Sequence, residues 1–146
     1  MTTINKSALV PYKADVMFAL VDDIEAYPQF LPWCDATTIL ERTEDEVRAS
    51  IGISHSGFKK SFTTCNRNQA GKMIEMRLLE GPFRRLEGFW RFDELGDAGC
   101  KISLDLEFEF SNKLVGLAFG PVFSQIANSL VDAFCKRAKD LYGQSG

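Results

Sequence analysis

Apolar and polar residues alternate with a period of two through most of the chain between residues 36 and 110, and a helical period follows. The clearest stretch is 101–110, where Ile102, Leu104 and Leu106 alternate with charged and hydroxyl-bearing residues. Successive side chains of a strand point to opposite faces, so each of these strands has one buried and one solvent-facing side. The pattern predicts an antiparallel meander.

Changes of period mark the helices on either side of this meander. Apolar residues at helical spacing predict a helix over 14–24 and a short helical turn over 23–27. Near the C-terminus, an apolar stretch over 113–119 is interrupted by Gly120-Pro121, and a longer helix is predicted over 121–142. The predicted strands cover 3–10, 37–42, 47–53, 59–67, 72–80, 84–94 and 101–110.

This order of elements predicts a single α+β domain over residues 1–146. An antiparallel sheet of about seven strands, twisted around one long C-terminal helix, buries the apolar faces of both. A chain of 146 residues is long enough for one domain with a hydrophobic core. Its 45% hydrophobic and 25% charged residues exclude a disordered chain and a disulfide-dense mini-protein.

The sequence predicts a cytoplasmic protein without a metal or cofactor. It has no visible secretory signal and no run of roughly 20 apolar residues that would span a membrane. The four cysteines lie more than thirty residues apart and are expected to be reduced thiols. His55 is the single histidine, so no Cys/His cluster is available for a structural zinc ion.

Charge is unevenly distributed along the chain. The net charge of −3 argues against DNA or another nucleic acid as the main partner. Residues 59–91, however, hold eight Lys/Arg and three Asp/Glu, a basic segment with net charge +5. This segment is either a solvated strand face or a contact surface for RNA or another anionic surface. The candidate contact residues are Lys59, Lys60, Arg67, Arg84 and Arg85.

None of the residue patterns that carry catalysis is evident. The sequence lacks the G-x-S-x-G, H-E-x-x-H, G-x-x-x-x-G-K and G-x-G-x-x-G motifs. His55 is interpreted as a turn histidine at a strand end, and Cys65 as an ordinary, partly buried cysteine. The pairs Asp22/Asp23 and Glu107/Glu109 are interpreted as solvated charges. The chain is therefore predicted to have no catalytic residues.

The aromatic content indicates either a solid aromatic core or an apolar cavity. The chain holds twelve phenylalanines, three tyrosines and two tryptophans. Small or hydroxylated residues, such as Gly52, Thr64 and Gly88, lie on the same strands and would leave room inside the sheet. Pockets for lipids and polycyclic ligands are lined in this way.

Several strings of residues resemble the bacterial coenzyme Q-binding family, which has a START-like, or polyketide cyclase-like, fold. The most specific string is YPQFLPWC at 27–34, and SFTT at 61–64 and EGPFRRL at 80–86 extend it. The resemblance continues into the last helix and covers nearly the whole chain. It implies a helix-grip fold, in which a curved antiparallel sheet grips the C-terminal helix around a deep apolar cavity. For most of this branch it implies no catalysis.

The first activity that the resemblance implies is ubiquinone binding in support of respiratory electron transport. A quinone head needs one or two hydrogen-bond donors, and its isoprenoid tail needs apolar walls. Thr64 is the candidate donor. Such a carrier would meet a membrane, and the apolar stretch 114–119 would either insert into it or pack on the sheet edge. The candidate walls are Phe62, Met76, Trp90, Phe92, Val122, Phe123, Ile126 and Leu130.

The second implied activity belongs to a ribosome-association toxin branch, whose members are described as binding the large ribosomal subunit and blocking subunit joining. The basic segment favours it, with Arg84 and Arg85 beside Phe83 as the candidate contact point. One residue departs from the family pattern, which usually has an arginine at the position of Cys65. Arg67, two residues further along the same strand face, is the candidate substitute.

Overall fold

The computed structural model describes residues 2–55 and 57–143 and shows a seven-stranded antiparallel sheet with a long helix packed on one face. The elements are β1 (Thr2–Val10), α1 (Ala14–Asp22), a 3-10 turn (Ile24–Ala26), α2 (Tyr27–Phe30), β2 (Cys34–Arg42), β3 (Glu46–His55), β4 (Phe58–Gln69), β5 (Met73–Glu80), β6 (Phe83–Glu94), a 3-10 turn (Gly96–Ala98), β7 (Cys100–Phe110) and α3 (Lys113–Tyr142). The strand order is β1-β7-β6-β5-β4-β3-β2, so the first two strands form the edges. The α+β, helix-grip prediction is confirmed.

The predicted alternation gives the faces of the central strands correctly. Ile102, Leu104 and Leu106 of β7 are buried on the inner face, as are Leu86 and Trp90 of β6. Strands β6 and β7 pair continuously from Arg85 to Glu94. Gly88 lies within this pairing, where a Cβ atom would come 2.1 Å from the carbonyl oxygen of Asp105. A side chain at this position would therefore push the two strands apart.

Helix α3 runs without interruption over thirty residues, so the predicted break at Gly120-Pro121 is wrong. Pro121 has no N–H to donate to the carbonyl of Leu117 one turn earlier. Both residues are exposed, and water can hydrate this carbonyl. Phe119 and Phe123, on the other side of the helix, are both buried against the sheet. Their packing stabilises the helical conformation on both sides of the proline.

Two aromatic clusters attach α3 to the sheet. The first surrounds Phe83 and Phe123, whose ring centroids lie 4.9 Å apart, and includes Phe108, 4.8 Å from Phe123. The second surrounds Phe134, whose ring lies 5.3 Å from Trp90 and 5.5 Å from Tyr27. Because Phe123 and Phe134 are three helical turns apart, the helix between them spans a gap over β4 and β5.

Candidate functional site

An apolar cavity of about 70 Å³ lies between these clusters, enclosed by the inner face of the sheet, helix α3 and the segment from α1 to β2. Helix α3 contributes Ala127 to its wall, and the segment before β2 contributes Tyr27 and Trp33. Seven of the nine predicted ligand-binding residues line it. They are Phe62, Thr64, Met76, Trp90, Phe123, Ile126 and Leu130.

The other two predicted wall residues, Phe92 and Val122, do not line this cavity. Phe92 is buried two residues beyond Trp90 along β6, where its ring packs edge-on against Phe18 of α1 at 5.6 Å. Val122 immediately precedes Phe123 in α3, so it points about 100° away around the helix axis. Both residues face other parts of the core.

A pair of polar side chains on β4 interrupts the apolar lining. Thr64 and Asn66 are both buried, and Asn66 is only 9% exposed. The Thr64 hydroxyl donates to Asn66 Oδ1 at 3.1 Å. No hydrogen bond joins the Nδ2 group of Asn66 to any residue that the structure describes. Because the Thr64 proton is already used, the Nδ2 group of Asn66 is the donor that strand β4 offers to a molecule in the cavity.

Asn66 was not among the ligand-binding residues predicted from the sequence, although the period-two alternation along β4 places it on the inner face. It follows Phe62 and Thr64 at a spacing of two, and therefore shares the inner face of β4 with them. The hydroxyl of Tyr27 is another polar group of the lining, and it donates to the carbonyl of Val21 at 2.5 Å. Burial, followed by the nearby charge of Asp22, raises the pKa of Tyr27, so this phenol stays neutral.

The cavity is small in this conformation. Its volume of about 70 Å³ lies below the roughly 300–1,000 Å³ typical of small-molecule sites. Among its walls, Met76 and Leu130 are only partly buried and have flexible side chains. A ligand larger than a few heavy atoms therefore requires these walls or helix α3 to move outward.

Most of the predicted contact cations are paired with carboxylates on the sheet surface. Lys59 lies 3.4 Å from Asp35. Arg67 lies 3.7 Å from Glu46.

Arg85 forms ion pairs with two carboxylates, Glu87 and Glu107. In the part of the chain that the structure describes, Lys60 and Arg84 are the two predicted contact cations without an ion pair. The other three predicted contact cations are thus paired with carboxylates, and each has at least one partner on another strand.

The pKa values of the four thiols lie above the ordinary value of a cysteine. Burial raises the pKa of Cys34 and of Cys100 to about 11. Burial and a hydrogen bond with Glu46 raise the pKa of Cys65 as well. Cys65 and Arg67 both lie on the outer face of β4, opposite to the cavity, because they alternate with Thr64 and Asn66. Arg67 therefore supplies no charge to the cavity.

Comparison with known proteins places this geometry in a family. A family model described as polyketide cyclase/dehydrase and lipid transport matches residues 10–135. The chain belongs to the polyketide cyclase/dehydrase and lipid transport family. Within this family, it is similar to the ribosome association toxin RatA of Pseudomonas aeruginosa, with 49% identity over 97% of this chain and 99% of the relative.

A more distant relative has a different name. The mitochondrial coenzyme Q-binding protein coq10 of Schizosaccharomyces pombe is 27% identical over 91% of this chain and 84% of the relative. The crystal structure of the Zhui aromatase/cyclase from a Streptomyces superposes with a TM-score of 0.82 over 94% of this chain and 93% of that one, at 17% identity. This likeness shows the fold alone. The names of the two relatives refer to ribosome association and to coenzyme Q binding, and neither name is that of an enzyme.

Proposed function

We propose that this protein binds a polyisoprenoid quinone, or a lipid of similar shape, in the cavity between the sheet and helix α3. It acts as a non-catalytic lipid chaperone that supports respiratory electron transport. The observation that carries this proposal is the unpaired Nδ2 group of Asn66 in a largely apolar enclosure. This N–H group keeps some accessible surface, and a bound carbonyl oxygen would supply the hydrogen bond that no described residue provides.

Each part of the lining has a role in this proposal. The Asn66 amide donates to a quinone carbonyl, while Thr64 holds the amide in position through the 3.1 Å hydrogen bond. The aromatic rings of Trp90 and Phe123 cover the head group, and Ile126 and Leu130 contact the tail. The name of the Schizosaccharomyces relative supports coenzyme Q as the ligand class. A carrier of this kind would reside in the cytoplasm and contact the inner face of the membrane.

Tryptophan fluorescence provides a direct test, because both tryptophans of the chain, Trp33 and Trp90, line the cavity. Titration with a short-chain ubiquinone is expected to quench this fluorescence to a saturable limit. Free tryptophan amide, titrated in parallel, corrects for absorption of light by the quinone. Solvent extraction of the purified protein followed by mass spectrometry should recover ubiquinone. Linear quenching equal to that of the free amide, together with no recovered quinone, would contradict the proposal.

A second candidate function is ribosome association that inhibits translation. The observation that favours it is the 49% identity, over nearly the full length of both chains, with a protein named for that activity. Its surface would include Lys60 and Arg84, because the other predicted contact cations are in ion pairs. Contacts between cations and RNA weaken steeply as the salt concentration rises.

Co-sedimentation with the large ribosomal subunit tests this second function. The Lys60→Glu/Arg84→Glu variant reverses two charges and should lose binding, and wild-type binding should fade with salt. The matched control, Lys6→Glu/Lys101→Glu, changes the net charge equally on strands β1 and β7, away from the basic segment. Equal loss in both variants would indicate a general charge effect. Salt-resistant sedimentation that neither variant changes would remove these cations from the interface.

A further inference from the structure

We propose that the first turns of helix α3 dock onto an anionic lipid bilayer. The docking surface, called the α3 tip below, consists of Leu114, Leu117, Ala118 and Pro121. These four residues are exposed, with Leu114 at 79% and Leu117 at 70%. This proposal rests on the lipid-binding function proposed above, because a lipid carrier must meet its ligand at a membrane. It is tested separately, without any quinone.

The α3 tip is one continuous face of the helix. Its members follow one another at positions i, i+3, i+4 and i+7, which lie on one side of an α-helix. The opposite side packs on the sheet, where Phe119 is fully buried. Gly116 and Gly120 lie over the ring of Phe110 on that side. The leucines of the tip are therefore left exposed by the packing of the helix and do not belong to its buried stripe.

The apolar character of this exposed face ends within the helix. The same face continues with Gln125, Asn128 and Asp132, all of which are exposed. By length and composition α3 is apolar enough to cross a membrane, yet only 28% of its apolar stretch is buried. An exposed apolar end that becomes polar after two turns is the pattern of a surface that enters a membrane interface to a shallow depth.

Charge around the α3 tip favours anionic lipid as the partner. Between residues 113 and 131, Lys113 is the single charged residue of the chain. The Ser111 amide donates to the carbonyl of Pro82 at 3.0 Å, and this bond holds the turn between β5 and β6 against the start of α3.

Three cations at this end, Lys60, Arg84 and Lys113, have no ion pair within residues 2–55 and 57–143. Two carboxylates lie at the same end, Glu80 at the end of β5 and Glu109 at the end of β7, and they leave an excess of one positive charge. The resulting positive excess would attract the headgroups of anionic lipids. The leucines would enter between those headgroups. The freed carbonyl of Leu117 would remain in the hydrated headgroup layer, since docking is shallow.

The α3 tip also adjoins one end of the cavity. Phe62 lines the cavity, and a Cβ atom on Gly81 would lie 2.7 Å from the Cβ of Phe62. Gly81 and Pro82 form the turn that is bonded to Ser111 at the start of the helix. Docking through the tip would therefore bring the Phe62 end of the cavity close to the bilayer, so that a lipid would travel a short distance.

Vesicle co-sedimentation tests the docking. The full chain is mixed with vesicles of phosphatidylcholine alone, or of phosphatidylcholine and phosphatidylglycerol in equal parts. Leu117→Glu is compared with Leu9→Glu, because Leu9 on β1 is 72% exposed and lies outside the α3 tip. Burial of one leucine side chain changes an equilibrium by about tenfold or more. We expect Leu117→Glu to lose at least this factor in binding to the anionic vesicles, and Leu9→Glu to bind like wild type.

Circular dichroism and thermal unfolding establish that each variant is folded, and Ala118→Glu serves as a second variant of the tip if Leu117→Glu is not. Equal binding by both leucine variants, or no binding of wild type to anionic vesicles, would overturn the proposal. The proposal would also be overturned if wild type does not bind vesicles but forms a concentration-dependent dimer that Leu117→Glu abolishes. The partner of the α3 tip would then be a second copy of this chain. Quinone quenching without vesicles should be unchanged in Leu117→Glu, so failure of docking is distinguishable from failure of ligand binding.

Discussion

Replacing the polar pair of the cavity by apolar residues should make the protein more stable and a poorer binder. Thr64→Val and Asn66→Leu, made together, keep the number and the branching of the side-chain heavy atoms. The double change removes the 3.1 Å hydrogen bond between the two side chains and the unpaired Nδ2 group of Asn66. Opposite effects on stability and affinity are expected where a polar group is retained for binding.

The sizes of the changes in stability and affinity follow from the cost of an unpaired donor and from the strength of one hydrogen bond to the quinone. A fully buried donor without a partner costs about 1–3 kcal/mol. The Nδ2 group of Asn66 keeps some accessible surface, so its cost lies at the low end of this range. Replacing both partners of a hydrogen bond by apolar groups of the same shape is nearly neutral. The free energy of unfolding should therefore rise by about 1 kcal/mol without ligand. Loss of one neutral hydrogen bond to a quinone carbonyl, worth about 1 kcal/mol, should weaken binding by roughly fivefold to tenfold.

Urea unfolding measures the first effect, and quenching of Trp33 and Trp90 by a short-chain ubiquinone measures the second. The matched control is Ser50→Ala with Thr63→Val. These hydroxyls form a 2.6 Å hydrogen bond on the outer face of β3 and β4, and removing them should leave quinone affinity unchanged. A large loss of stability in the Thr64/Asn66 variant, with wild-type quinone affinity, would refute the reasoning. The pair would then be a structural element of the core.

Three further predictions concern the core. Ile126→Ala, beside the cavity, should lower the free energy of unfolding by about 2 kcal/mol, and Ile102→Ala, in the solid core, by about 4 kcal/mol. Urea unfolding measures both values, and equal losses would contradict a difference in packing between the two sites. Gly88→Ala should lower the free energy of unfolding by about 3 kcal/mol because of its 2.1 Å contact with β7, which a wild-type thermal midpoint would refute. Because their pKa values are raised to about 11, Cys34 and Cys100 should be protonated at pH 8 and should react with iodoacetamide only after urea unfolds the chain. Mass spectrometry measures the labelling, and rapid labelling of the native protein would contradict this prediction.

Surface electrostatics show why sequence position alone is a poor guide to a binding surface. Residues 59–91 are basic as a segment, but an antiparallel sheet places strands from other parts of the chain beside them. Arg85 thereby meets Glu107 of β7, and Arg67 meets Glu46 of β3. Which cations stay available is decided by the register between strands, and that register is not contained in any single segment.

Local patterns were sufficient for the inner faces of the central strands and for seven of the residues that line the cavity. A period of two has one geometric consequence in a strand, so Phe62, Thr64 and Met76 could be assigned to the inner face from the alternation. The same rule would have given Asn66. Local patterns failed at Pro121, where the breaking tendency of proline is outweighed by the aromatic side chains that pack α3 against the sheet.

The chain by itself therefore determined the antiparallel sheet, the long C-terminal helix and the inward-facing side chains, because these depend on periodicity along the backbone. Only the tertiary structure decided that Phe92 packs under α1 rather than at the cavity, and that Leu117 is exposed while Phe119 is buried. It also decided that the Nδ2 group of Asn66 has no hydrogen-bond partner among the described residues. Each of these outcomes depends on contacts between residues that are far apart in the sequence, and the packing of the helices against the sheet determines those contacts.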